Sequence, residues 1–172
     1  MGSMLHVCAL ASLHETVEKS GASHVLTVIN DGTPVERPDT ITEENHLFLG
    51  FDDVIAPLPD FRPPESHHVE AILDFAERWP REDPMVVHCW AGISRSTASA
   101  FSIVCMLHPD EPEDRIAHRL RQASPTATPN RLIVRYADQI LGRNGRMVAA
   151  VDAIGRGADL TFSAKPFSLW ID

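Results

Sequence analysis

The stretch between Pro84 and Leu107 constrains the fold more than any other part of the sequence. Residues 85–87 are a short apolar run, which predicts a buried strand. Residues 94–107 (SRSTASAFSIVCML) are small and apolar on every side, as is typical of a buried helix. Between them lies HCWAGISRS, residues 88–96. A buried strand that turns directly into a buried helix favours an α/β protein, with this loop at the end of a strand.

Predicted strands and helices alternate along the rest of the chain. Apolar and β-branched runs predict further strands at residues 5–10, 24–29 and 46–51. Spaced apolar residues predict helices at residues 13–20, 65–79, 113–123, 131–141 and 146–154, and four prolines make residues 52–64 a loop. We therefore expect one α/β domain over residues 1–172, with a central, partly parallel sheet of about four to five strands flanked by helices. Its core is residues 5–141, followed by a C-terminal helix and tail at 142–172.

Charge and cysteine content exclude several classes of function. The net charge of −9, from 15 basic and 24 acidic residues, argues against a nucleic-acid partner. The three cysteines are widely spaced and form no CxxC pair, so we expect no disulfide framework, no zinc site and a reducing, cytoplasmic location. No apolar run reaches the roughly 18 residues of a membrane span, so no membrane partner is expected.

Two further negative predictions concern bound groups. His67 and His68 open a predicted helix, and we interpret them as surface residues whose side chains point apart. We therefore expect no metal and no cofactor. The sequence does not indicate an oligomeric state.

The loop at residues 88–96 has the composition of an anion site. Gly92 and small neighbours let the backbone curl, and the helix N-terminus that follows offers unpaired N–H groups. Arg95 adds a planar fork that matches two phosphate oxygens. The same field favours the thiolate of Cys89, a nucleophile, and Ser96 can hydrogen-bond its sulfur. We expect His88 to support the loop from behind and phosphate to bind Trp90, Ala91, Gly92, Ile93, Ser94 and Arg95.

Trp90 has two possible places. Its ring either lines the mouth of the pocket, where it could stack on an aromatic substrate, or packs beneath the loop. The sequence favours neither.

HCWAGISRS resembles the HCxxGxxR[ST] signature of the cysteine-dependent protein tyrosine phosphatases, in the spelling of their dual-specificity branch. The chain as a whole resembles small bacterial members of that family, and residues 5–141 fit its core. Residues 124–130 (SPTATPN), which precede a helix, resemble a segment of that branch whose asparagine braces the phosphate loop. The resemblance therefore implies a supporting role for Asn130.

The resemblance also implies an activity. Members of this family hydrolyse phosphomonoesters in two steps through a phosphocysteine, so we expect a phosphatase whose partner is a phosphorylated protein, with phosphotyrosine as the expected group, or a small phosphomonoester. In that reaction Cys89 attacks phosphorus, and Arg95 and the loop amides hold the phosphate oxygens. The alternative is a pseudophosphatase that binds phosphate or phosphoproteins with little or no turnover.

The family reaction also needs an aspartate as general acid, and three are candidates. Asp53 and Asp52 directly follow a predicted strand, where the dual-specificity branch places its acid. Asp60 lies in PDFRPPES, which resembles the acid loop PDFGVPES of larger tyrosine phosphatases. We prefer Asp53, because the end of a strand is a more rigid mount than the middle of a loop. Asp52 is expected to be only a solvated loop carboxylate or a cap.

Overall fold

A five-stranded sheet forms the centre of the computed structural model, which describes residues 3–160 and 162–172. The strand order is β3-β2-β4-β1-β5, in which the first four strands run parallel and β5 runs antiparallel to β1. The strands are β1 (Met4–Ala9), β2 (His24–Ile29), β3 (His46–Gly50), β4 (Met85–Cys89) and β5 (Phe167–Trp170). The predicted α/β class and partly parallel sheet are confirmed.

Helices cover both faces of this sheet. The described residues form six α-helices: α1 (Leu13–Ser20), α2 (Ser66–Arg78), α3 (Arg95–Leu107), α4 (Glu113–Ala123), α5 (Arg131–Leu141) and α6 (Arg146–Ile154). Each coincides with a predicted helix to within one residue, because the apolar residues recur at helical spacing. The proline-rich segment 52–64 contains neither helix nor strand, as predicted.

The core is divided by the sheet into two layers, because successive strand residues point to opposite faces. Val87 and Cys89 of β4 belong to a large cluster with the apolar faces of α2 to α6. Val86 and Cys8 belong to a smaller cluster beneath α1. The side chain of Cys89 therefore lies on the face that carries five of the helices.

Two features were absent from the predictions. Strand β5 was not located by sequence, because four residues give too little alternation. Strand β4 continues to Cys89, two residues beyond its predicted end, so the thiol sits on the last residue of a central strand. Parallel strands that end beside a helix N-terminus are a common place for an anion site.

Among residues 3–160 and 162–172, no helix is both long and apolar enough to span a membrane.

Candidate active site

Residues 89–95, here called the signature loop, join β4 to α3. Gly92 adopts a φ of +71°, and a Cβ at this position would lie 3.0 Å from the carbonyl carbon of Cys8. A left-handed backbone against a neighbouring strand is a position that only glycine fills without strain. Gly92 therefore lets the loop curl tightly over the end of β1.

The carbonyl oxygens of the signature loop are held by donors from outside it. Four backbone N–H groups donate to these oxygens: that of Leu10 to Trp90 (3.2 Å), that of Ala164 to Ala91 (2.8 Å), that of Thr128 to Ile93 (2.9 Å) and that of Asn130 to Ser94 (3.1 Å). In a trans peptide the N–H points opposite to the C=O, so each of these bonds also directs the next amide away from its donor segment. Within the described part of the chain, the amides of residues 90–95 meet no acceptor. They are free to bind an anion together.

The guanidinium of Arg95 is anchored at one end only. Nη1 donates to the carbonyl oxygen of Phe51 at 2.7 Å and to Oδ1 of Asn30 at 2.9 Å. Nε is buried and meets no acceptor among the described residues, although the whole residue is only 4% exposed. A buried unpaired donor on a charged group is costly, so this Nε is placed to bind an anion.

Cys89 lies at the base of the loop with only 3% of its surface exposed. Its sulfur is 3.1 Å from the hydroxyl oxygen of Ser96. Ser96 follows Arg95 in the first turn of α3, so a hydroxyl and a guanidinium reach the same loop from one rigid helix.

His88 lies fully buried behind the loop. Burial lowers the pKa of His88 to about 4, so its ring is neutral. Because a carbonyl only accepts, Nδ1 donates to the carbonyl of Cys89 at 3.3 Å, and Nε2 then accepts from the hydroxyl of Thr27 at 2.7 Å. That hydroxyl accepts in turn from Nε2 of His46 at 2.8 Å. This chain of hydrogen bonds links His88 to β2 and β3, and its supporting role stays a prediction.

Asp53 is held above the loop by two donors. Its Oδ1 accepts from the hydroxyl of Ser94 and from Nδ2 of Asn130, each at 2.8 Å. The amide oxygen of Asn130 meanwhile accepts from the backbone N–H groups of Leu132 and Ile133, and so caps α5. Asn130 thus joins the loop that carries Asp53, the signature loop and a helix N-terminus.

The other two aspartates differ from Asp53. The carboxylate of Asp52 accepts from Nδ2 of Asn30 and from the backbone N–H of Arg62, each at 2.7 Å. The bond from Arg62 holds the pKa of Asp52 below its usual value. Asp60 is exposed, has a φ of +66°, and makes no hydrogen bond to the described residues. The structure therefore brings only Asp53 into contact with the signature loop.

The structure also shows where Trp90 and the pair His67 and His68 lie. The residue Trp90 is 50% exposed, so its ring does not pack beneath the loop. The prediction that the His67 and His68 side chains point apart is wrong, since their ring centroids lie 4.1 Å apart. The cause lies at the start of α2, where Nδ1 of His68 accepts from the N–H of Glu65 while Nδ1 of His67 pairs with the Glu65 carboxylate. The possible ligand atoms of the exposed Glu65 and His67 and of the half-buried His68 lie within 4.8 Å of one another.

Sequence reasoning missed two residues of the site. Asn30 directly follows the predicted strand 24–29 and was given no role, yet its Oδ1 fixes Arg95. Thr27 was one residue of a β-branched strand, yet it supports His88. Both belong to β2 or its end, and the parallel pairing of β2 with β4, Thr27 beside His88, is what brings them to the loop. No local pattern signals such a neighbour.

Comparison with solved structures identifies relatives of this fold. The chain is similar to PTP-2 phosphatase of Cydia pomonella (TM-score 0.62, 16% identity, 78% of this chain and 84% of that one). It is also similar to a mouse putative dual-specificity phosphatase complexed with zinc tungstate (0.58, 20%, 85% and 86%). A third is the human tyrosine phosphatase-like serine/threonine/tyrosine-interacting protein (0.63, 15%, 81% and 92%). No protein-family model matches the sequence, and no curated protein matches it.

These likenesses show that the chain has the fold of the tyrosine and dual-specificity phosphatases. Identities of 15% to 20% carry the fold and not the activity. The affiliation with bacterial members stays a prediction.

Proposed function

We propose that this chain is a cysteine-dependent phosphatase that hydrolyses phosphomonoesters through a phosphocysteine on Cys89. The observation that carries the proposal is the buried, unpaired Nε of Arg95 beside a loop whose amides lack acceptors within the described residues. A tetrahedral dianion would satisfy both sets of donors at once. It would also bring phosphorus within reach of the Cys89 sulfur at the base of the loop.

The first step follows from this arrangement. The Cys89 thiolate forms a bond to phosphorus as the bond to the ester oxygen breaks, and Asp53 supplies the proton that the leaving oxygen takes. Oδ1 of Asp53 already accepts two hydrogen bonds, so the proton would be carried on Oδ2.

In the second step water attacks phosphorus, Asp53 accepts a proton from that water, and the phosphorus–sulfur bond breaks. Ser96, 3.1 Å from the sulfur, stabilises the departing thiolate with its hydroxyl. Arg95 and the amides of residues 90–95 hold the phosphate oxygens in both steps, with His88 and Asn130 as supports.

Phosphotyrosine in proteins is the substrate we propose. The exposed ring of Trp90 on the signature loop can lie against an aromatic leaving group. The loop carries no lysine, which disfavours a polyanionic lipid headgroup. The three cysteines are all free, which suits the reducing cytoplasm that we propose as its location.

The test is hydrolysis of a small aryl phosphate by the wild type, Cys89→Ser, Arg95→Ala and, as a matched control, Cys105→Ser. Cys105 is a buried thiol remote from the loop, on the inner side of α3. We expect a loss of about 10³-fold or more in kcat for Cys89→Ser and in kcat/KM for Arg95→Ala. Cys105→Ser should stay within about threefold of the wild type, because its thiol touches no reacting group.

Rapid acid quenching followed by mass spectrometry should find one phosphoryl group on the Cys89 peptide. Full activity in Cys89→Ser would exclude this nucleophile. An inert wild type that binds tungstate and a phosphotyrosine peptide would establish the pseudophosphatase alternative. A panel of phosphotyrosine, phosphoserine and phosphothreonine peptides then measures substrate preference.

A further inference from the structure

The C-terminal segment, defined here as residues 155–160 and 162–164, lies against the signature loop. The backbone N–H of Ala164 donates to the carbonyl oxygen of Ala91 at 2.8 Å, and Ala164 is only 5% exposed. A cleft of about 290 Å³ separates residues 156–160 from Asp53, Ile93 and Ser94. The segment therefore reaches the proposed phosphate site from a part of the chain that the family resemblance does not cover.

The hydrogen bond from Ala164 determines the direction of the Gly92 N–H. Ala91 and Gly92 share one peptide plane, in which the carbonyl oxygen and the amide hydrogen point opposite ways. Because Ala164 holds that oxygen outward, the N–H of Gly92 points away from the segment. Gly92 has no Cβ and a φ of +71°, so its backbone is the easiest of the loop to rotate if that bond is lost.

A second route links the segment to the loop. The N–H of Gly157 donates to the hydroxyl of Thr128 at 3.0 Å, and the N–H of Ala158 donates to the carbonyl of Pro125 at 2.9 Å. The backbone of Thr128 in turn donates to the carbonyl of Ile93. The segment is thus bonded both to the loop and to residues that support it.

The packing along this second route is tight. A Cβ on Gly157 would lie 2.4 Å from the carbonyl carbon and oxygen of Thr126. No side chain fits at that distance, and the obstacle is backbone that cannot rotate aside. Gly157 therefore lets the segment lie directly on residues 124–130.

We propose that the C-terminal segment is a positioning element of the phosphate site, which fixes the Gly92 amide through Ala164 and the Ile93 carbonyl through Gly157 and Thr128. The proposal rests on the phosphatase function proposed above. The segment contributes no reacting group. It sets the direction of donors that bind the transferred phosphoryl group, so its loss should weaken oxyanion binding and slow turnover together.

Ala164→Pro tests the direct contact, because proline has no N–H to donate. Removing an oxyanion donor outright lowers kcat by about 10²-fold or more. Here the donor remains but loses its orientation, so we expect tungstate affinity and kcat each to fall about tenfold. The matched control is Lys165→Pro, which removes an exposed neighbouring amide that has no acceptor among the described residues. It should stay within about twofold of the wild type in both quantities.

Gly157→Ala tests the second route. It also keeps the proposal testable if the Ala164→Pro variant does not fold. Its Cβ must displace the segment from Thr126, so tungstate affinity should again fall several-fold. Thermal unfolding of each variant separates loss of the fold from loss of the site. If the wild type binds tungstate and both folded variants match it, the positioning role is overturned. If the wild type neither binds tungstate nor hydrolyses aryl phosphate, the proposed function itself fails.

Discussion

The position of the Arg95 side chain depends on Asn30 and, through it, on Asp52. Asp52 accepts from Nδ2 of Asn30, which leaves Oδ1 of that amide to face Nη1 of Arg95. The second anchor of Nη1 is the carbonyl of Phe51. Asp52 thus lies two hydrogen bonds away from the guanidinium. Both of its carboxylate oxygens already accept hydrogen bonds, from Asn30 and from Arg62. This explains why adjacent Asp52 and Asp53 have different environments.

The choice of general acid is tested at single residues. We expect Asp53→Asn to lower kcat by about 10²-fold, since a carboxamide supplies no proton to the leaving oxygen. The loss should be greater for an alkyl phosphate than for an aryl phosphate with a good leaving group, because the poorer leaving group needs the proton more. Steady-state kinetics with both substrates measures it.

Asp60→Asn is the matched change for that experiment, because Asp60 is an exposed carboxylate on the same loop. It should leave both rates within about twofold of the wild type. Equal, small losses in the two variants would contradict the assignment of either aspartate.

Helix α5 shows how one residue can serve an element and a site. Asn130 caps the helix with its oxygen and holds Asp53 with its nitrogen. Asn130→Ser keeps an N-cap acceptor and loses the donor, so we expect stability to change by about 0.5 kcal/mol or less while kcat falls several-fold. Asn130→Ala loses both, and should cost about 1 kcal/mol more.

Urea unfolding and kcat, measured on both variants, separate the two roles of Asn130. Parallel losses of stability and kcat across the two variants would mean that Asn130 acts only as a cap.

At the level of elements, what the sequence predicts depends on how local the signal is. The helices, the parallel strands and the strand–loop–helix around Cys89 follow from periodicity and glycine placement within short windows. Strand β5 does not, because it is specified by its antiparallel pairing with β1, Val7 beside Phe167. The partners of Asp53 and Arg95 were equally hidden, since they come from segments that only the fold brings together.

For the molecule as a whole, the buried and half-buried histidines make stability depend on pH. Burial lowers the pKa of His88 to about 4, and it also lowers the pKa of His6, His24 and His46. Below the ordinary histidine value of about 6.5 the unfolded chain binds protons that the folded chain refuses. The stabilisation is therefore complete above that value and is lost as the pH falls.

We expect the free energy of unfolding to decline between about pH 6.5 and pH 4, with His88 alone contributing about 3 kcal/mol of the loss. Urea titrations at several pH values measure this decline. His88→Asn should be less stable at pH 7 and show a shallower decline below pH 6.5. A decline as steep as that of the wild type would mean that other groups cause it.

The signature loop accepts hydrogen bonds from Leu10, Thr128, Asn130 and Ala164, residues spread over almost the whole chain. Contacts between positions so distant in sequence are the slowest to form, because the entropy of closing long loops comes before any gain from the contact. On the ribosome the loop is made long before Ala164 emerges. A nascent chain can therefore form all four of these hydrogen bonds only after Ala164 has been added, well after the residues of the loop itself.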